Sequence, residues 1–268
     1  MDSNLSQLMF LDQVISHLKS REKGSIVKDA LINHRIDESL RAKMIDWMIE
    51  VITKFEMNIK TFFLSVKIMD KYLQLSKTIL ESTDILLLGI TCMFIAHKLE
   101  DVIRYNIKVF EKGIGHNKIT AKDIIEMEQK ILITLNFSID MPVSVDFLVL
   151  ICGIYGVPEC VKKAAENLLI VFQLYYNLQY LPSLETGCAL VLASRFLGYD
   201  LNQEILLFIS TSADFFNRVL YMKEQLSLRT EGMRKYKNAF LYRKFELVAC
   251  NSNVYFKFVN EEENAVIA

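Results

Sequence analysis

Apolar positions recur with the period of an α-helix along most of the chain. The clearest run is Asp37–Phe55, where Met44, Trp47, Met48, Val51, Ile52 and Phe55 fall at i, i+3, i+4, i+7, i+8 and i+11. Ile45 and Ile49 widen that stripe, so this helix is expected to be covered on more than one side. Asp37 or Ser39 can accept the free amides at its start, and Glu38 suits the positive end of the helix dipole. Ahead of it, residues 5–19 read as a short helix with two stripes, Leu8, Leu11, Ile15 and Leu18 on one side and Phe10, Val14 and His17 on the other. One stripe suits burial on its own protein, and the second can face a partner. Residues 20–36 read as a polar connector.

Further helices are predicted over 60–75, 83–100 and 121–135, the last capped by Thr120 and Asp123. Ile85–Ala96 is apolar all round apart from Gly89 and Thr91, which places it at the centre of a bundle. A glycine there costs about 1 kcal/mol against alanine, so a neighbour approaching closely is expected at Gly89. Pro142 disfavours helix at Met141 and sets a domain boundary at 140/141. A second set is predicted at 144–155, 158–178, 182–197, 201–210 and 212–229, with Pro158 and Pro182 at first turns. Ala96-His97-Lys98-Leu99 and Ala193-Ser194-Arg195-Phe196 each close an apolar helix containing a glycine, a faint internal echo. The expected fold is all-α. A short N-terminal helix and connector (1–36) precede two tandem five-helix units (37–140 and 141–230), with a C-terminal tail (231–268).

Composition supports a helical chain with a large apolar surface. Of the 268 residues 52% are hydrophobic, and glycine and proline number only nine and three. The mean hydropathy of +0.24 is high and implies a large core, an extensive apolar interface, or both. A net charge of −1 lacks the basic surplus of nucleic-acid binders, so none is expected as a partner. Five scattered cysteines without a C-x-x-C spacing suit a reducing compartment. There is no basic-then-apolar leader, and the uncharged stretch Ile85–Ile95 is too short to span a bilayer. A soluble intracellular protein with no membrane partner is expected.

Catalytic and cofactor motifs are not found. His17, His34, His97 and His116 lie far apart without metal-ligand spacing, and each reads as a surface or ordinary packed residue. Gly113-Ile114-Gly115 lacks the third glycine and preceding strand of a dinucleotide site, and no phosphate loop or nucleophile elbow occurs. No enzyme activity, cofactor or metal is expected. Two charged residues stand out instead. Glu128 lies on the stripe of Ile124, Ile131 and Leu132, and Lys98 follows Phe94 and Ile95 and precedes Leu99. Either both snorkel to water, or they form an ion-pair clamp set in an apolar recognition surface.

The residue order carries more than the periodicity. Leu40-Arg41-Ala42-Lys43-Met44-Ile45-Asp46-Trp47-Met48-Ile49-Glu50-Val51 resembles the opening helix of the cyclin box, with Arg41, Ala42, Asp46, Trp47, Glu50 and Val51 identical to the family pattern. Ala96-His97-Lys98-Leu99-Glu100-Asp101, Ile119-Thr120 with Met127-Glu128, Leu135-Asn136-Phe137-Ser138-Ile139, Pro142 with Phe147, and Leu181-Pro182-Ser183 resemble later motifs in order. Met233-Arg234-Lys235-Tyr236-Lys237-Asn238 is similar to the tail motif of A- and B-type cyclins.

This resemblance implies a regulatory subunit of a cyclin-dependent kinase, with a mitotic role and a nuclear and cytoplasmic location. It implies that Lys98 and Glu128 contact the kinase beside its αC helix. Ile95, Leu99, Leu132, Phe137 and Ile139 would supply apolar surface around them, and Phe10, Val14 and His17 the stripe of the N-terminal helix. A second family site docks Arg-x-Leu motifs of substrates and inhibitors, and Leu40, Met44, Trp47 and Glu50 fit it. Lys43 stands where the family has an apolar residue, and Leu86, beyond a short insertion near 76–83, where it has a glutamine. Weak or altered docking is therefore expected. No Arg-x-x-Leu or Lys-Glu-Asn destruction motif occurs, so turnover is signalled differently or by a segment preceding this sequence. A divergent cyclin that binds a kinase without activating it, a cyclin-fold transcription factor, and an all-helical enzyme without a recognisable motif are the other readings.

Overall fold

The computed structural model describes residues 13–175, 180–210, 214–233, 245–250 and 253–258. It divides into two compact units. One comprises His17–Val143 with Gln173–Leu181; the other comprises Ser144–Phe172, the chain from Pro182 on and the described residues before His17.

Helix α1 covers residues 13–22 and passes into a 3-10 turn at Lys23–Ser25, so the connector expected from residue 20 begins later. The first unit then contains α2 (Glu38–Lys54), α3 (Ile59–Leu75), α4 (Ile85–Glu100), a π-helical turn (Val109–Ile114) and α5 (Ala121–Thr134). Of the two candidate caps for α2, Asp37 is used, its carboxylate accepting from the Leu40 amide at 2.6 Å. Thr120 and Asp123 form a reciprocal capping box on α5, and the Thr120 hydrogen bonds hold the Asp123 carboxyl below its usual range. The π turn was not among the sequence expectations. It closes with the Gly115 amide donating to the Phe110 carbonyl at 2.7 Å, an i→i+5 bond, and it buries Phe110 and Ile114.

Helix α4 packs against α2, α3 and α5 and is buried without a break from Leu88 to His97. With the turn before it, Ser82–Glu100 is long and apolar enough to cross a membrane by length and composition. Here that apolar surface is taken up by the helices around it. Gly89 is the point of close approach: a Cβ on it would lie 2.0 Å from Met44 Cε of α2. A buried ion pair ties α2 to α3. Arg41 Nε and Nη2 donate to the two carboxylate oxygens of Asp70 at 2.7 and 2.6 Å, and Nη1 donates to the Gln173 carbonyl at 3.0 Å. His34 fastens the loop between α3 and α4. Its Nδ1 accepts from the Leu80 amide at 3.1 Å, and Nε2 lies 2.7 Å from the Leu73 carbonyl, which it reaches as a donor in that tautomer.

The second unit contains α6 (Ser144–Tyr155), α7 (Glu159–Leu174), α8 (Pro182–Phe196), α9 (Gln203–Ile209) and α10 (Phe215–Met233). Helix α7 ends at Leu174 rather than near 178, and residues 176–179 lie outside the described residues. Helix α8 occupies the place α4 has in the first unit, packing on α6, α9 and α10. Its Gly187 is again a close approach, with a Cβ there 2.9 Å from the Phe215 ring. Ser144 donates to Glu185, and Thr186 Oγ1 donates to the Ser144 carbonyl at 2.7 Å, tying α6 to α8. The echo of Ala96–Leu99 in Ala193–Phe196 is thus the end of the central helix in each unit.

The C-terminal tail, which the all-α expectation leaves without an element, carries an antiparallel hairpin. Strands β1 (Phe245–Cys250) and β2 (Asn253–Phe258) pair in register from Phe245↔Phe258 to Cys250↔Asn253 and pack against α10. The Lys235-Tyr236-Lys237 motif lies outside the described residues.

Candidate partner-binding surface

Lys98 and Glu128 meet, 30 residues apart in sequence, because α4 and α5 pack side by side. Lys98 Nζ donates to Glu128 Oε1 and sits 4.2 Å from the centre of the Phe94 ring, one turn earlier on α4. The side chains keep 38% and 15% of their surface in contact with water. The pair is therefore neither deep core nor free surface: the two charges are joined and the lysine still reaches water.

The apolar residues expected beside this pair differ in exposure. Leu99 is exposed beside Lys98, and Leu132 and Ile139 are half-buried. Phe137 is 68% exposed, and it and Asn136 take the left-handed conformation (φ 56° and 48°). Such a backbone is costly for a bulky residue. Here it is fixed by the Phe137 amide donating to the Leu132 carbonyl at 2.8 Å, which closes α5 and turns the ring outward. Ile95 departs from expectation. It is 2% exposed, because α4 is enclosed on that side, so it supports the surface from beneath and does not line it.

The sequence reading missed several exposed apolar residues in the same unit, among them Val102, Ile103 and Ile133. Val102 and Ile103 lie on a non-periodic bend after α4, where helix patterns carry no information. A network centred on Asp101 builds that bend. Its carboxylate accepts from the Asn58 amide at 2.6 Å and the Thr61 hydroxyl at 2.5 Å, and it meets His97 Nδ1 at 2.9 Å. The buried His97 ring accepts the Tyr105 amide at Nε2, 2.7 Å away, and stacks on the Tyr105 ring. Behind the pair, Lys60 binds Glu100 at 3.1 Å.

The other expected patch lies on α2. Leu40, Trp47, Glu50 and Leu86 are half-buried and Lys43 is exposed. Met44 does not belong to this surface. Its side chain is buried in the gap left by Gly89, where the absent Cβ makes room for it. On α1, Val14 is half-buried and His17 exposed, while Ile15 of the opposite stripe is buried. Phe10 lies outside the described residues. Among the described residues, no three His, Cys, Asp or Glu side chains gather as a metal site.

The helical arrangement matches the cyclin-box fold. The family profile described as "Cyclin, N-terminal domain" matches residues 13–140. G2/mitotic-specific cyclin-B of Spisula solidissima is 32% identical over 190 residues, 70% of this chain and 44% of that protein. The cyclin-B of Dictyostelium discoideum is 29% identical over 69% of this chain and 43% of its own length. G2/mitotic-specific cyclin-A of Drosophila melanogaster is 26% identical over 91% of this chain and 51% of its own. The chain thus spans about half the length of these curated relatives, or less. A viral cyclin from herpesvirus saimiri has the same fold, with a TM-score of 0.70 at 22% identity, covering 80% of this chain and 96% of that one. The yeast RNA Pol II CTD kinase complex CTDK-1 contains a chain that matches with a TM-score of 0.60 at 10% identity, covering 80% of this chain and 72% of that one. The protein belongs to the cyclin family and is of the A/B type.

Proposed function

We propose that this protein is a regulatory subunit that binds and activates a cyclin-dependent protein kinase in the mitotic part of the cell cycle. The observation that carries the reading is the part-exposed Lys98–Glu128 pair, with Leu99 next to it on α4 and Leu132 one turn further along α5. A surface of this kind can bury its apolar rim against a helix while two fixed charges bind the polar groups at that helix's edge. In a kinase the αC helix carries the glutamate that must pair with the active-site lysine. A subunit that binds only the paired arrangement shifts the kinase equilibrium toward it and performs no chemistry itself. Such a complex would act in the nucleus and cytoplasm.

The test is phosphorylation of a histone-type substrate by a purified cyclin-dependent kinase, with and without this protein, alongside the Glu128→Ala variant. Activation that is lost in the variant is expected. Binding without activation would make the protein a scaffold or inhibitor on the same fold, and no binding would leave only the fold.

The α2 patch supports weak or altered recognition of Arg-x-Leu peptides. The exposed ammonium of Lys43 repels a basic motif, and Leu86 offers no amide to a peptide backbone. Titration of such a peptide should give little binding at this patch, and ordinary affinity there would refute the reading.

A further inference from the structure

The chain leaving α4 turns through Val102, Ile103 and Arg104, which make no hydrogen bond or ion pair among the described residues. Val102 is 99% and Ile103 75% exposed. Such a stretch does not fix its own conformation, so the bend is set by what holds its two ends. One imidazole holds both. The Tyr105 amide only donates, so His97 Nε2, 2.7 Å away, accepts, which places the ring proton on Nδ1. Nδ1 then donates to the Asp101 carboxylate at 2.9 Å. Asp101 opens the bend and Tyr105 closes it. The buried ring also stacks on Tyr105, 5.2 Å between centroids and 13° between planes. The two ends differ in what else secures them. Asp101 has further ties to Asn58 and Thr61 at the start of α3, whereas Tyr105 has, beyond His97, its hydroxyl on the Phe55 carbonyl at 3.0 Å. The backbone at the far end of the bend is thus held through Nε2.

Two adjacent large apolar side chains kept in water on a fixed backbone mark a contact surface. This one begins three residues beyond Leu99 and four beyond Lys98, so it continues the partner-binding surface along the chain. We propose that His97 is the positioning residue of that surface: Nε2 holds the Val102–Ile103 bend ready to meet the kinase, and the bend adds an apolar contact to the Lys98–Glu128 pair. The proposal rests on the kinase-binding reading above. Holding the bend before association spares the complex the cost of ordering it.

Two substitutions divide the ring between its nitrogens. Asparagine at 97 places a donor where Nδ1 was and leaves the Tyr105 amide without an acceptor. Glutamine places an acceptor where Nε2 was. In the free chain, trypsin should cut after the exposed Arg104 faster in His97→Asn than in the parent, and His97→Gln should recover most of the protection. In titration calorimetry against a cyclin-dependent kinase, His97→Asn should bind about tenfold more weakly, with glutamine again recovering most of the loss. The surface variant Val102→Ser/Ile103→Ser leaves His97 and the core intact. It should also bind about tenfold more weakly, at an unchanged unfolding midpoint. Normal binding by His97→Asn, or equal losses in the asparagine and glutamine variants that follow their unfolding midpoints, would make the ring a structural tie and overturn the proposal. Normal binding by the surface variant would overturn it too, while leaving the kinase reading to stand on Glu128→Ala. A parent protein that binds no such kinase would remove both.

Discussion

Truncating the Lys98–Glu128 pair should separate binding from folding. In the free protein the lysine retains over a third of its exposure, so solvent screening limits what the pair adds to stability to about 0–1 kcal/mol. The contact of Lys98 with the Phe94 ring adds about 0.5–1 kcal/mol at such a site. For a chain of this size, 1 kcal/mol corresponds to a shift of about 2–4 °C in the unfolding midpoint. Against a partner the same charges would be desolvated. Removing one then strands the other, at a cost of about 2–5 kcal/mol, or roughly 30- to 5,000-fold in Kd. Lys98→Ala and Glu128→Ala should therefore each weaken kinase binding, measured by titration calorimetry, while shifting thermal unfolding by a few degrees at most. The double variant should lose little more than either single one, because the residues act as a unit. A single variant that binds normally would refute the assignment of that residue. A collapse of stability matching the loss of binding would make the pair a structural tie.

Other consequences follow from the core. Asp70→Ala leaves the fully buried Arg41 guanidinium without its carboxylate and should cost about 3–5 kcal/mol in urea unfolding; a loss below 1 kcal/mol would show that the guanidinium finds another partner. Gly89→Ala gains about 1 kcal/mol of helix propensity but drives a methyl into Met44. A net loss of stability is expected, and a net gain would mean that the thioether swings aside. Of Cys92, Cys152, Cys160 and Cys188, Cys160 is the exposed one and should be alkylated before the other three at pH 8. Burial pushes the Cys152 and Cys188 thiols up to about 12 and the Cys92 thiol well above its usual value. Site mapping by mass spectrometry that found Cys92 or Cys188 labelled as fast as Cys160 would contradict this.

What the sequence made legible was set by what periodicity can report. Helices α2, α3 and α5 have distinct faces, so their bounds and the placement of Glu128 on a stripe could be read directly. Helix α4 is apolar all round and has no polar face to orient it, which is why Ile95 was assigned to the surface and proved to be core. Met44 misled for a related reason: the same spacing serves a surface patch and a side chain seated in the notch of a glycine. The Arg41–Asp70 pair joins residues 29 apart, and the Asp101 network joins α4 to the start of α3. Neither leaves a local pattern. The tail hairpin did leave one, since Phe245–Cys250 and Asn253–Phe258 are rich in β-branched and aromatic residues around a two-residue Asn-Ser connection.

The His34 ring has a consequence for how this chain tolerates changes in length. It joins the end of α3, through the Leu73 carbonyl, to the residue that leads into α4, through the Leu80 amide. The Arg35 amide adds a second bond to the Leu80 carbonyl at 2.9 Å. Residues 77–79, between those two anchors, are exposed. The loop can therefore gain or lose residues at its tip without passing a change of register into α4. An insertion after Leu80 has no such protection and would rotate α4 by about 100° per added residue, carrying Lys98 away from Glu128. A change in loop length is in this way tolerated on only one side of a single imidazole.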